Sequence, residues 1–240
     1  MKTAVIIPSR YESSRFPGKP LALINCKPLI QHTVERVKRC KKIDFIAVAT
    51  DDKRIYNTVK KLGIDVFMTP KTCKSGTDRV AFTASKFLKN YDIFINVQGD
   101  EPLIDLNLID ELAVLLNKNK SVEYVTAAFS ITEESVINNP NVVKVVFDKD
   151  GYALYFSRYA VPYNRNKSTV KYYKHIGIYG YRKNFLLEFS KSSVSSLEKA
   201  ENLEQLRVLE SGQKIKVVIA KHDSIGVDTP EDILKAEEYL

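Results

Sequence analysis

Short apolar runs alternate with segments of helical periodicity along the first half of the chain. The runs are β-branched and end at Pro, Gly or polar residues, as buried strands do; they lie at 4–7, 45–49, 64–68 and 93–97. Between and after them, apolar residues recur three or four positions apart, which predicts helices at 29–37, 55–62, 80–88 and 108–116. This β-α-β-α order predicts a parallel sheet with right-handed crossovers.

The pattern changes after a further strand predicted at 124–129. Segments 142–147, 152–156 and 172–181 have strand patterns with no long helix between them, and Asp150-Gly151 is a hairpin signal. We therefore expect one α/β domain over 1–240, with a Rossmann-like, mostly parallel sheet flanked by helices and an antiparallel excursion at about 142–182. Its aromatic content predicts either a dimer contact or a flap folded on its own core. The pattern ends with a helix at 197–209, a strand at 214–220 and a helix from Pro230.

Composition narrows the class of protein. Of 240 residues 44% are hydrophobic, which indicates a globular chain, and no apolar run approaches the ~20 residues of a membrane span. Because Met1 leads directly into the first strand, we expect no signal peptide. The three cysteines, Cys26, Cys40 and Cys73, lack a CxxC spacing, which favours reduced thiols and a cytoplasmic location.

The net charge of +8 favours acidic partners, either nucleotides and acidic sugars or nucleic acid and membrane surfaces. The lysines are spread along the chain and not packed into one basic run, which indicates a solvated outer face for most of them, but the loop after the first strand holds several cations. This cationic loop (residues 8–21) holds Arg10, Arg15 and Lys19 against one acid, Glu12. It lies at the carboxyl end of a strand, where open α/β sheets bind ligands, so we expect a phosphate chain there. A solvated connection is the alternative.

The cationic loop differs from both common phosphate-binding loops. A Walker loop has Ser or Thr after its Gly-Lys pair, whereas Pro20 follows Lys19 here. The dinucleotide fingerprint needs three spaced glycines, and this segment has one.

Two acids follow predicted buried strands. Asp100 lies in Gln98-Gly99-Asp100-Glu101-Pro102, and Asp228 precedes Thr229-Pro230. Strand-end carboxylates are well placed to hold a metal ion over a ligand, although a turn and a helix start are the simpler readings. A third polar motif, Ser75-Gly76-Thr77-Asp78-Arg79, precedes the helix at 80–88, where Thr77 or Asp78 could serve as the cap.

These motifs together resemble a known family. The segment 6–21 is similar to the signature loop of sugar nucleotidyltransferases, and in detail to that of 3-deoxy-manno-octulosonate cytidylyltransferases. Further matches follow in family order, at 75–79, 98–102, 155–158, 175–181, Glu204 and 226–232, so the resemblance covers nearly the whole chain.

The resemblance implies the fold of nucleotide-diphospho-sugar transferases and the transfer of CMP from CTP to 3-deoxy-D-manno-octulosonate (Kdo), with Mg²⁺ as cofactor. The implied catalytic residues are Arg10, Lys19, Asp100 and Asp228, of which Asp100 and Asp228 are the metal ligands. The implied nucleotide-binding residues are Pro8, Ser9, Arg10, Arg15, Lys19, Ser75, Gly76 and Thr77. The implied sugar-binding residues are Arg79, Gln98, Arg158, His175, Tyr179 and Glu204.

Some alternatives stay open at the level of sequence. A sister group of the family acts on 8-amino-Kdo and shares most of the motifs. A cytidylyltransferase for a sialic-type acid is a third interpretation, but the Lys19-Pro20 pair departs from the sequence pattern of those enzymes. A basic nucleic-acid-binding protein is a different class, but such a protein has no need for two strand-end acids facing a cationic loop. We expect a cytoplasmic homodimer in lipopolysaccharide or capsule synthesis, with neither nucleic acid nor membrane insertion.

Overall fold

The computed structural model describes residues 1–12 and 16–240. The strands of the described residues are β1 Thr3–Ser9, β2 Leu23–Ile24, β3 Lys27–Pro28, β4 Phe45–Thr50, β5 Asp65–Met68, β6 Ile93–Val97, β7 Tyr124–Ile131, β8 Lys144–Phe147, β9 Ala153–Ser157, β10 Tyr172–Arg182 and β11 Lys216–Ile219. The helices are α1 Leu29–Val37, α2 Lys53–Lys61, α3 Gly76–Lys86, α4 Leu106–Lys118, α5 Glu134–Ile137, α6 Lys183–Phe189, α7 Ser196–Glu201, α8 Leu206–Glu210 and α9 Pro230–Glu237, with a 3-10 turn at Lys19–Leu21.

One large mixed sheet organises the molecule, in the order β11-β7-β10-β6-β1-β4-β5. Strands β6, β1, β4 and β5 pair in parallel, and β11 pairs in parallel with β7. The predicted Rossmann-like fold with a mostly parallel sheet is confirmed. Within the described residues, no helix is long and apolar enough to cross a membrane.

The alternation of side chains along β1 explains the two-sided core. Ala4 and Ile6 face a cluster that includes residues of α3, α6 and α8. Val5 and Ile7 face the opposite cluster, to which α1, α2 and α4 contribute. Because both faces are covered by helices, β1 is buried along its whole length, which is why residues 4–7 at its centre are all apolar.

The predicted antiparallel excursion is only partly separate from the main sheet. β8 and β9 form the expected hairpin, with Gly151 at a positive φ of 74° in its turn. β10, however, lies between β6 and β7 and pairs antiparallel with both. The last strand of the segment therefore belongs to the centre of the fold and carries its side chains to the same edge as β6.

Two local predictions were wrong. The helix expected at 197–209 is broken into α7 and α8 at Asn202, which has a φ of 53°, so Glu204 lies between the two helices. The cap of α3 is Ser75, whose side chain accepts from the Asp78 N–H, while Asp78 occupies the third helical position of a capping box. The serine takes the cap because its hydroxyl and the Asp78 carboxylate satisfy each other's backbone N–H groups.

Candidate active site

A cavity of ≈ 270 Å³ opens at the carboxyl ends of β1 and β6. Its walls are formed by the cationic loop, the start of α3, the segment after β6 and Asp228. The lining residues are Pro8, Ser9, Arg10, Lys19, Pro20, Lys74, Ser75, Gly76, Arg79, Gln98, Gly99, Asp100 and Asp228. Most of the residues predicted for nucleotide and metal binding are thus brought together around one space.

Lys19 is held in place within this cavity by its loop and by two acids. Gly18, at a positive φ of 75°, begins the 3-10 turn that contains Lys19, a backbone conformation that favours glycine. The Lys19 side chain is only 11% exposed. Its Nζ donates to Asp100 Oδ2 and lies 3.2 Å from Asp228 Oδ1. One ammonium group therefore joins the two acids that lie far apart in the sequence.

The carboxylates of Asp100 and Asp228 fit a magnesium ion that arrives with a nucleotide. Both are drawn to a single positive charge, and their side chains keep 32% and 57% of their exposure. In the described part of the chain, no group of three or more His, Cys, Asp or Glu side chains is arranged to hold a metal alone. Mg²⁺ is commonly held by one or two carboxylates together with substrate phosphates, so two acids suffice.

Arg79 reaches the cavity with its charge already paired. Its guanidinium donates to Asp51 Oδ2 and to Thr69 Oγ1, and the residue is 3% exposed. Asp51 follows β4, the parallel neighbour of β1. Arg79 thus braces the wall of the cavity from α3 to the loops after β4 and β5.

His175 and Tyr179 lie on β10, with ring centroids 5.5 Å apart. The shared side expected from their spacing is present even though a register shift interrupts the β10–β7 pairing between Ile176 and Tyr179. The His175 Nε2 lies 2.8 Å from Thr126 Oγ1. Burial lowers the pKa of His175 to about 3, so the imidazole is neutral at physiological pH. Burial also raises the pKa of Tyr179, which stays a neutral donor.

Glu204 approaches the start of α3 from the break between α7 and α8. Burial raises the pKa of Glu204, and the nearby hydroxyl groups of Thr77 and Ser75, together with the Arg207 charge, oppose the rise. Arg207 itself pairs with Glu198 through Nε at 2.7 Å, so the simple surface pair between Glu204 and Arg207 is absent. Glu204 borders an open groove of ≈ 1270 Å³ that shares Lys74 and Ser75 with the cavity.

Arg158 does not line the cavity. Its guanidinium donates to the backbone oxygens of Glu201 and Pro140. The cavity lining also lacks four other predicted residues, namely Thr77, His175, Tyr179 and Glu204. Gln98 links the cavity to the residues of β10. It lines the cavity, and its Cγ lies 4.0 Å from the place that a Cβ added to Gly177 of β10 would occupy. Arg15 lies outside the described residues.

Sequence reasoning missed several residues that build this site. Asp51 was available from its position after a buried strand beside β1, the same signal that identified Asp100. Lys74 was available from its charge next to the Ser75 motif. Thr126 carried no such signal, because its contact with His175 depends on β7 and β10 being neighbours. The fourth missed residue is Glu101, the neighbour of Asp100 in the sequence. Burial raises the pKa of Glu101 to about 7.

Comparison with known proteins agrees with this geometry. Residues 4–215 match the family model of cytidylyltransferases. A 3-deoxy-manno-octulosonate cytidylyltransferase of Thermodesulfovibrio yellowstonii is 50% identical over 252 residues, which cover 100% of this chain and 98% of that protein. An 8-amino-3,8-dideoxy-manno-octulosonate cytidylyltransferase of a Shewanella species is 47% identical over 242 residues, covering 100% and 99%. The structure of a CMP:2-keto-3-deoxy-manno-octonic acid synthetase complexed with CTP has a TM-score of 0.94 and 38% identity, covering 100% and 98%.

Proposed function

The chain belongs to the cytidylyltransferase family and is a nucleotidyltransferase, and from that premise we propose that it transfers CMP from CTP to Kdo with release of pyrophosphate. The observation that carries the proposal is the contact of the Lys19 ammonium with both Asp100 and Asp228, all three lining a cavity to which the cationic loop contributes. This arrangement joins a phosphate-binding group to two metal-type ligands at the carboxyl edge of a sheet.

The chemical problem is the repulsion between two anions. The α-phosphorus of CTP must accept the hydroxyl of an acidic sugar while the phosphate chain carries several negative charges. Lys19 and Arg10 supply positive charge along the cavity. The transfer is an in-line displacement in which pyrophosphate leaves, and holding both substrates in line provides much of the rate.

Asp100 and Asp228 would hold Mg²⁺ together with phosphate oxygens of the nucleotide. When bound, Mg²⁺ supplies positive charge that neutralises the phosphates and stabilises the leaving group. Without the ion, the two carboxylates would repel the nucleotide, and Lys19 alone would balance them. Arg10 also lines the cavity and would add positive charge there, and Arg15 stays a prediction.

The sugar acid is proposed to bind beyond Gln98, toward β10. The neutral imidazole of His175 and the phenol of Tyr179 offer hydrogen bonds without adding charge. Gln98 lines the near side of this region, and Glu204 lies behind the Ser75 motif. Arg79 would act through the wall that it braces, while Arg158 would need to leave its backbone partners to reach the carboxylate.

The second candidate substrate is 8-amino-Kdo, which the 47% identity to the Shewanella protein favours. The two acids differ at one substituent, an amino group in place of a hydroxyl at carbon 8. Discrimination between them therefore rests on the far end of the sugar pocket and not on the nucleotide site.

The test is pyrophosphate release from CTP or UTP, with Kdo, 8-amino-Kdo and a sialic acid offered in parallel. We expect turnover with CTP and Kdo, and a preference over UTP because a site that pairs the cytosine amino group leaves partners unpaired with uracil, at ~1–3 kcal/mol each. Turnover with 8-amino-Kdo alone would select the second candidate, and activity with the sialic acid alone would reject both.

We also propose three further features of this enzyme. A homodimer would form through the segment from β8 to β10, where Tyr159 and Tyr163 are 85% and 87% exposed, and light scattering at micromolar concentration would test it. The three free cysteines favour a reducing compartment, the cytoplasm. The product would serve lipopolysaccharide or capsule synthesis.

A further inference from the structure

Asp228 stands outside regular secondary structure, directly before the Thr229 cap of α9, and its N–H donates to Asp232 Oδ2 at 3.1 Å. Asp228 lies between β11, which ends at Ile219, and α9, which begins at Pro230. Its side chain is 57% exposed, so packing of the side chain itself does little to hold the carboxylate in place. The position of Asp228 must come mainly from the contacts of residues 221–229, which we call the Asp228 segment.

One anchor of this segment is a direct backbone bond to the other acid. The Val227 N–H donates to the Asp100 carbonyl at 2.9 Å. The Val227 side chain is fully buried against Ile24, Leu29 and Ala236. This anchor sets the distance between the two acids but leaves the preceding residues to be held by other groups.

The second anchor is the side chain of Glu101. Ser224 Oγ donates to Glu101 Oε2. Glu101 also packs against the backbone of Gly226, where an added Cβ would lie 3.0 Å from Oε1. Lys174 of β10 supplies a third contact through an ion pair with Asp223. The Glu101 carboxyl thus touches the segment at two points, one on each side of Ile225.

Glu101 does not itself belong with the cations of the cavity. It is absent from the cavity lining, whereas its neighbour Asp100 lines it. Burying a carboxyl group costs free energy unless hydrogen bonds replace its water. The described contacts of the Glu101 carboxyl are with the Asp228 segment. Its burial therefore serves to hold that segment in place.

We propose that Glu101 is a positioning residue, which through Ser224 and Gly226 holds the Asp228 segment so that Asp228 faces Asp100 across Lys19. The inference rests on the proposed function, because the purpose of that placement is the shared metal site. Glu101 acts here as a hydrogen-bond acceptor and a packing surface. Its amide analogue should therefore replace it, since Glu101→Gln keeps an oxygen for the Ser224 hydroxyl and nearly the same shape.

The test measures Mn²⁺ binding by electron paramagnetic resonance in the presence of CTP. Ser224→Ala and Glu101→Ala should each weaken Mn²⁺ by ~10-fold, the lower end of the range for residues that orient metal ligands. Glu101→Gln should bind within about 2-fold of wild type. Ser196→Ala is a matched control, because it removes a serine-to-glutamate bond, to Glu210, at a place away from the cavity.

Hydrogen exchange of the Val227 amide provides a second readout that needs neither metal nor turnover. It should speed up in Ser224→Ala and Glu101→Ala and stay unchanged in Glu101→Gln and Ser196→Ala. If Glu101→Ala does not fold, Ser224→Ala carries the test alone.

Failure of the positioning role and failure of the proposed function give different results. Wild-type Mn²⁺ affinity in both Ser224→Ala and Glu101→Ala, or a Glu101→Gln variant as weak as Glu101→Ala, would overturn the positioning role and leave the metal site intact. If the wild-type protein binds no Mn²⁺, or if Asp100→Asn leaves its Mn²⁺ binding unchanged, the shared metal site and with it the proposed function would be overturned.

Discussion

At the scale of single residues, the site depends on how much water each charged group keeps. Lys19 is nearly buried, yet its partners Asp100 and Asp228 retain contact with solvent. A nucleotide can therefore approach the acids from the open side while Lys19 is already in place. The sequence singled out Lys19 from its loop, but it could not predict that one ammonium group contacts both acids, because that depends on the path of the Asp228 segment.

The first prediction concerns Lys19→Ala. Turnover should fall by ~10²–10³, the loss expected from one preorganised group that stabilises transition-state charge. Stability should change little, because the two carboxylates left behind are solvated. Lys27→Ala is the control, since Lys27 is an exposed lysine paired with Glu35 at 2.9 Å outside the cavity. Near-normal turnover of Lys19→Ala would contradict the assignment.

The second prediction concerns the pH dependence of stability through His175. Burial lowers its folded-state pKa to about 3, so the unfolded chain, with a pKa near 6.5, binds the proton more tightly. His175 should therefore cost the fold stability as pH falls below 6.5, by at most about 2 kcal/mol at pH 5.

Urea unfolding of wild type and His175→Gln at pH 7.5 and pH 5 measures this effect. The gap between the two proteins should shift in favour of His175→Gln at pH 5. Using the difference removes the opposite contribution of Glu101, whose raised pKa favours the folded state as pH falls from 7 toward 5. An unchanged gap would show that His175 stays accessible to protons.

At the scale of elements, periodicity located the main strands and helices of the first half, because the apolar residues that each element buries recur at a spacing visible in the local sequence. The helix predicted at 197–209 was wrong since periodicity does not show that Asn202 adopts a left-handed conformation. The position of β10 was also beyond the sequence. Its pattern marks a strand, but its insertion between β6 and β7 depends on contacts across the whole sheet.

The crowded place of β10 leads to a prediction on two glycines. An added Cβ at Gly180 would lie 2.7 Å from Val125 Cγ1 and 2.9 Å from Leu116 Cδ1. Gly180→Ala should therefore destabilise the fold by ~1–3 kcal/mol, as overpacking of a core does. Gly177→Ala, on the same strand, meets only Gln98 Cγ at 4.0 Å and should stay within ~0.5 kcal/mol of wild type. Equal destabilisation of both variants in urea unfolding would contradict this packing.

At the scale of the whole molecule, the site is assembled from elements that are not neighbours. β11 is separated from β6 by β7 and β10, so the strand ends alone do not bring Asp228 to Asp100. The Asp228 segment crosses that distance and is tied to the loop after β6 by Val227 and Ser224. The sequence singled out both acids because each follows a predicted strand, and their shared role stays a prediction. The connection between them could be seen only in the folded chain.

The central claim is that Asp100 and Asp228 act as one site for CMP transfer, and a double-mutant cycle on turnover tests it most directly. Asp100→Asn and Asp228→Asn keep the shape of each side chain and remove one charge. Each should lower magnesium-dependent turnover with CTP and Kdo on the order of 10²-fold, with the fold intact. The double variant should be little worse than either single one, because residues that act as a unit are not additive. Losses that simply multiply, or full activity of Asp228→Asn, would contradict the shared site.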